Sequence, residues 1–439
     1  MTVAPLEQPR FGSVGWSVVV RGISFPITAV CTFATTAIAI RYAGGTAYGA
    51  IAVISTLSQL LPYADLGIGA GVMNAVSTSK NGDRDRIGAV ASAIRWLIIP
   101  FAVLVVVGAL GATLFSWSKL LGIEASQIEG LDWATAFALI FFAIGIPLGV
   151  GQRVLVGLSL NPLAVGLSSL VSIVTLVSTL VIVWTGSPIA ALAVAPALGS
   201  LLSAGVACFV GLRLVQFKFS YIVRVREFRS PGLISQGISY LVLIAALAAA
   251  LQGGRVLLAQ ASTLNEVASY SLMMQLYLPI WSFFSVGGIA LWPIFAKLRM
   301  DPGARQMPAV AKMARYFSLA AVGGGLGIIF LGAWVADLIS AGEIRLGPTL
   351  LVVCAAFLVV QAIQFVLGMA LTSPADLRFQ AVCAVPMSVV VITLISVTAS
   401  QWGAVAPFLW AAVGVGLFQV LPNAIRIRWN DARQAQTTV

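Results

Sequence analysis

Histidine is absent from this chain of 439 residues, and its acidic residues number only 14 against 25 lysines and arginines. The first absence excludes an imidazole zinc site or a histidine proton relay within the chain. The second leaves few carboxylates for holding cationic cargo. Cysteine is scarce as well. Cys31, Cys208, Cys354 and Cys383 all lie in apolar runs and none belongs to a CxxC pair, so they read as small core hydrophobes rather than disulfides or metal ligands. The sequence contains no GxxxxGK[ST] phosphate loop, no GxSxG elbow and no HExxH helix, which removes a built-in ATPase and two common hydrolase designs. No catalytic group, metal site or cofactor is expected. Charged residues of all kinds make up only 9%, against about 25% in a soluble domain.

What fills the chain instead is apolar: 60% of residues are hydrophobic. Runs of 18 or more mostly apolar residues recur from end to end, each long enough to cross roughly 30 Å of hydrocarbon as a helix. Barrel strands are shorter and alternate apolar with polar residues. The class is therefore an all-α polytopic membrane protein. Marking apolar runs between breaks predicts twelve transmembrane helices, near 14–40, 46–78, 88–115, 132–156, 162–185, 188–211, 233–262, 266–296, 310–333, 347–372, 378–399 and 404–425. The second and eighth exceed what a bilayer needs, and Pro62 followed by Gly67, Gly69 and Gly71 predicts a kink in the second. The stretch MTVAPLEQPRFGSVGW lacks the pattern of a removable signal peptide, so the first helix is expected to stay as an anchor.

Loop charge sets the orientation. With both termini cytoplasmic, the inner side receives the clusters at Lys80 to Arg86, Arg213 to Arg229, Lys297 to Arg315 and Arg426 to Arg433, while the outer side receives only Arg41, Lys119 and Arg345. That asymmetry predicts an N-in, C-in topology. It also accounts for most of the net charge of +11 as a topology signal with anionic-lipid contact, not a nucleic-acid footprint. The basic stretch 213–232 divides the chain into six spans (residues 1–212) and six spans (residues 233–439). RGISF from Arg21 and QGISY from Gln236 open the first and seventh spans, a weak trace of an internal repeat.

Ionisable groups inside spans are the informative residues, because each costs at least ~2.5 kcal/mol at a helix centre. Arg21 and Arg95 lie at similar depth in the first and third spans, and Asp65 reaches that level from the second. One reading has Asp65 bridging an arginine, or the arginines reaching to the interface. The other has the cations facing a cavity and binding an anionic group such as phosphate, a task suited to a permanently charged, forked donor. Arg255, the one full charge in AALAAALQGGRVLLAQA, admits the same two accounts, with Glu266 as its bridge partner in the first. Gln361 and Gln364, an i, i+3 pair sharing a face, read as helix–helix hydrogen bonds or as substrate contacts. Tyr63, Tyr240, Tyr270, Tyr277 and Trp281 belong to an interface belt or stack on sugar rings.

The segment AIRYAGGTAYGAIAVISTLSQLLPYADLGIGAGVMNAVS, Ala39 to Ser77, resembles the N-terminal signature of Wzx-like polysaccharide flippases, members of the multidrug/oligosaccharidyl-lipid/polysaccharide exporter superfamily. The matching positions are Arg41, Gly44, Gly45, Tyr48, Gly49, Asp65, Leu66, Gly67 and Gly69. GRVLLAQASTLNEVASYSL is similar to a second landmark of the family, except that Gly254 stands where an aspartate is common. The resemblance implies two six-helix lobes related by a pseudo-twofold axis, around a cationic cavity in a bacterial cytoplasmic membrane. It further implies transport of a polyprenyl-diphosphate-linked oligosaccharide to the outer leaflet by alternating access, for cell-surface polysaccharide synthesis. Membrane lipids would be partners, as would glycan polymerases or glycosyltransferases, and nucleic acid would not. On this reading Arg21, Arg95 and Arg255 bind the diphosphate, Asp65 pairs with one of them or couples to an ion, and Tyr63, Tyr240, Gln361 and Gln364 are candidate sugar contacts. The rivals are a drug/cation antiporter of the same superfamily, which needs a carboxylate-rich cavity, and a membrane-embedded polymerase or ligase, which typically carries a large outer loop.

Overall fold

The computed structural model describes residues 12–59, 68–77, 83–114, 116–123, 128–224, 233–289 and 305–437, with positions 291, 294, 295 and 298. Every regular element among them is a helix, as expected where hydrocarbon leaves backbone groups only intra-helical partners. In chain order these are α1 (Gly12–Ala43), α2 (Gly45–Gln59), α3 (Ile68–Ser77), α4 (Asp83–Leu114), α5 (Trp117–Leu120), α6 (Leu131–Leu148), α7 (Val150–Gly157), α8 (Asn161–Ser168), α9 (Leu170–Trp184), α10 (Ala195–Leu214) and α11 (Ser220–Val223). They continue with α12 (Leu233–Gln252), α13 (Gly254–Ala261), α14 (Leu264–Ile289), α15 (Gln306–Ser340), α16 (Pro348–Ala370), α17 (Pro374–Trp402), α18 (Val405–Val415) and α19 (Leu421–Thr437). A π-turn, Gly416–Val420, joins the last two.

Among the described residues, nine stretches are long and apolar enough to cross a membrane, and they fall in nine of the twelve runs read from the sequence. The other three runs hold α2 with α3, α12 with α13, and α14. Of these, α2 and α3 are separate helices, and α12 passes into α13 through a turn at Gly253. The kink expected at Pro62 lies outside the described residues.

The chain forms two compact units. The first comprises residues 1–35, 57–117 and 128–238. Its core joins α3, α4, α6, α7 and α10 through Val72, Val90, Leu97, Phe142, Val154 and Leu212. Two helices of this unit, α7 and α10, cross backbone against backbone: a Cβ on Gly211 would sit 2.7 Å from the Gly151 carbonyl oxygen. Small residues permit that approach where apolar burial offers no drive between helices in lipid.

The second unit comprises residues 36–56, 118–127 and 239–439, so two segments that precede the basic connector pack with the C-terminal helices. Its longest interface pairs α15 with α16, where Gly325 lies against Ala355. An aromatic column runs along α14: Tyr270 and Tyr277 contact Phe408, Tyr277 also packs on Phe357, and Trp281 meets Phe365 edge-on at 5.4 Å. At one end of this unit α19 ties two helix starts together. Asp431 accepts the Gln306 and Met307 backbone N–H groups at 2.9 and 2.8 Å, and Arg426 bonds Asp376 at 3.1 Å in the first turn of α17. The Asp431 carboxylate satisfies amides at the start of α15 that have no helical partner.

Candidate functional site

The second unit buries a cation. Arg255, in the first turn of α13, is only 2% exposed. Its Nε donates to Ser271 Oγ of α14 at 3.1 Å, and its Nη1 reaches Thr56 Oγ1 of α2 at 3.5 Å. Thr56 also donates to the Ala52 carbonyl at 3.1 Å, which leaves its lone pairs for the guanidinium. The phenols of Tyr48 and Tyr270 lie within electrostatic reach of the charge, and Tyr48 hydrogen-bonds Thr36 and Gln275. The hydroxyl groups of Thr56, Ser271, Tyr48 and Tyr270, from residues 36–56 and α14, are thus among the groups around the guanidinium.

Gly254 explains itself in this setting. A Cβ there would stand 3.1 Å from the Tyr270 hydroxyl and 3.0 Å from Pro407 Cβ. A side chain at this position needs its neighbours to give way, and the Tyr270 phenol stands beside it. The segment that supplies Thr56 is held by equally close packing. The Gly49 backbone touches that of Leu264, and a Cβ on it would overlap the Leu264 carbonyl oxygen. Beside it Thr46 Oγ1 bonds Asn265 Oδ1 at 2.7 Å, and Arg41 donates to the Leu338 carbonyl at 3.4 Å.

Arg95 belongs to the first unit and is half-buried on α4. It donates to the Ile222 carbonyl of α11 at 3.2 Å and to Ser92 Oγ at 3.1 Å, so it fastens the start of the basic connector to α4. Arg21 lies in α1 and Tyr240 in α12, with side chains outside the described residues. Asp65 and Tyr63 lie outside them altogether.

Gln361 and Gln364 part company. Gln364 donates to Gln419 Oε1 at 3.3 Å and accepts from Asn423 Nδ2 at 3.2 Å. This amide chain leaves Gln419 Nε2 and Asn423 Oδ1 buried without a partner; reversing all three amides only exchanges which end lacks a donor. Gln419 lies in the π-turn, a geometry that recurs at functional sites. Gln361 instead shares a stripe of α16 with Phe357 and Phe365, one turn from each. Thr56, Ser271, Gln419 and Asn423 were not anticipated from the sequence, and Tyr48 was named only as a position of the resemblance. The i, i+4 pair Gln419 and Asn423 in an apolar run was the available signal for the amide chain. The hydroxyl residues around Arg255 carried none, because serine and threonine are ordinary in membrane helices.

No protein-family model and no curated protein matches the sequence. Solved structures match in fold. The lipid II flippase MurJ in an inward closed conformation is 13% identical, with 96% of this chain and 90% of that one covered and a TM-score of 0.65. A multidrug resistance MATE family transporter of the MOP superfamily matches in its inward-facing conformation at 13% identity, 96% and 98% coverage and a TM-score of 0.61. Its outward-facing counterpart matches at 14% identity, 98% and 99% coverage and a TM-score of 0.62. The chain has the fold shared by MATE transporters and MurJ, whose matched examples are transporters and a flippase rather than enzymes.

Proposed function

We propose that this protein is a flippase that moves a polyprenyl-diphosphate-linked oligosaccharide from the cytoplasmic to the outer leaflet by alternating access, for cell-surface polysaccharide synthesis. The assignment includes twelve spans in two six-helix lobes, both termini cytoplasmic, in a bacterial cytoplasmic membrane. Glycan polymerases or glycosyltransferases are its proposed partners.

The observation that carries the reading is the sign of the buried charge. Among the described residues, Arg255 and Asp376 are the charged side chains that are buried, and Asp376 is already paired with Arg426. A drug/cation antiporter has the same fold, but it needs a buried carboxylate free to meet its cargo. A diphosphate needs the opposite, a fixed cation. In this account Arg255 is sheltered by Thr56 and Ser271 while the seam at Gly49 is closed. Parting residues 36–56 from α14 uncovers it for the diphosphate. Arg21 and Arg95 serve the same anion in the first lobe, with Asp65 positioning one of them.

Complementation of a deletion strain tests this. Arg21→Gln and Arg255→Gln abolish surface polysaccharide while protein level in the membrane stays normal. Full complementation by both variants overturns the cationic-cavity reading.

A further inference from the structure

The second unit contains a group of side chains that the diphosphate chemistry does not use. Gln361 lies past the middle of α16, an apolar helix, and is half-buried. Among the described residues its amide has no hydrogen-bond partner, unlike Gln364 one turn away. An unpaired amide facing hydrocarbon is costly, and a hydrated path beside Gln361 would satisfy it. Its stripe neighbour Phe365 meets Trp281 of α14, and Trp281 stacks on Phe284 at 6.5 Å and 24°. Trp281, Phe284 and Phe365 are half-exposed, whereas Tyr270, Tyr277 and Phe357, higher on the same column, are buried. The indole N–H of Trp281, like the Gln361 amide, has no protein partner among the described residues.

We infer that Trp281, Phe284, Phe365 and Gln361 form a saccharide-binding platform. Half-exposed aromatic rings beside unpaired hydrogen-bond groups match a pyranose ring, which has an apolar C–H face and a polar rim of hydroxyls. The indole N–H and the amide supply three N–H donors and a carbonyl acceptor for that rim. The platform occupies the half of α14 beyond Pro279, away from Ser271 and Arg255. One unit thus holds separate places for sugar and for diphosphate. This inference rests on the flippase reading and specifies which residues contact the glycan.

The test uses the purified full-length protein in nanodiscs, titrated with undecaprenyl diphosphate and with undecaprenyl-diphosphate-N-acetylglucosamine. The wild type binds the glycosylated lipid about tenfold more tightly than the bare diphosphate. Trp281→Ala and Gln361→Leu bring that ratio toward one and leave binding of the bare diphosphate unchanged. Trp281→Phe keeps most of the preference, and melting temperature reports that each variant is folded. A wild type without preference for the sugar, or variants that keep the ratio, overturns the platform. Loss of binding to both lipids in Trp281→Ala, with the fold intact, also overturns it, because the residue then acts on the diphosphate. A wild type that binds neither lipid but takes up ethidium removes the flippase reading and the platform with it.

Discussion

Replacing Arg255 by methionine separates a functional cation from a structural one. The guanidinium is 2% exposed and is held by Ser271 at 3.1 Å and Thr56 at 3.5 Å. Moving such an ion out of water costs several kcal/mol even after relaxation. Hydrogen bonds from a charged donor return about 1.5–3 kcal/mol each, with the longer one at the weak end. Methionine fills similar volume without the desolvation. Thr56 keeps its bond to Ala52, and the Ser271 oxygen loses a donor, at about 1 kcal/mol. The net change is between zero and about 3 kcal/mol in favour of Arg255→Met. The assay pairs thermal melting of the purified protein with transport in the deletion strain. The expected result is a melting temperature equal to or a few degrees above wild type together with lost transport. A protein destabilised by more than about 2 kcal/mol that still transports would show that Arg255 is a packing residue, and the reasoning would fail.

Two further outcomes follow from close packing and from the amide chain. Gly49→Val forces residues 36–56 away from Leu264, an overpacking cost of about 1–3 kcal/mol that biases the seam toward opening about 5- to 150-fold. In a background with the four native cysteines replaced by alanine, labelling of Ser271→Cys by a polar maleimide rises accordingly. Unchanged labelling with a lowered melting temperature would make the seam a static core. Gln364→Leu strands both Gln419 and Asn423 and lowers stability by about 1–3 kcal/mol. Adding Gln419→Leu and Asn423→Leu restores it, as thermal melts will show. A triple variant less stable than the single one refutes the claim that the chain is incompletely satisfied.

The helical class and nine apolar spans are legible because hydrocarbon demands long uncharged runs and closed backbone bonding, both written locally in the residues. The breaks were harder to read. The turn at Gly253 falls inside one apolar run, where glycine is common in membrane helices. Arg255 is conspicuous as a lone charge, but its partners are not, since Thr56 and Ser271 meet it from distant parts of the chain. Arg95 shows the limit from the other side. Its depth in the third run is legible, but its bonds to Ser92 and to a carbonyl of the connector are not. Gln361 and Gln364 share a helical face by spacing, and only the position of the last helix decides that one is tied and the other open.

The central claim is that the cargo is anionic and lipid-linked. Proteoliposomes carrying the purified wild type, loaded on one side with a fluorescent undecaprenyl-diphosphate oligosaccharide or with ethidium, decide it. The account predicts that the lipid-linked glycan crosses between leaflets, that Arg255→Gln stops it, and that ethidium stays where it was placed. Movement of ethidium without movement of the glycan would contradict the account and assign the fold to a cation exporter.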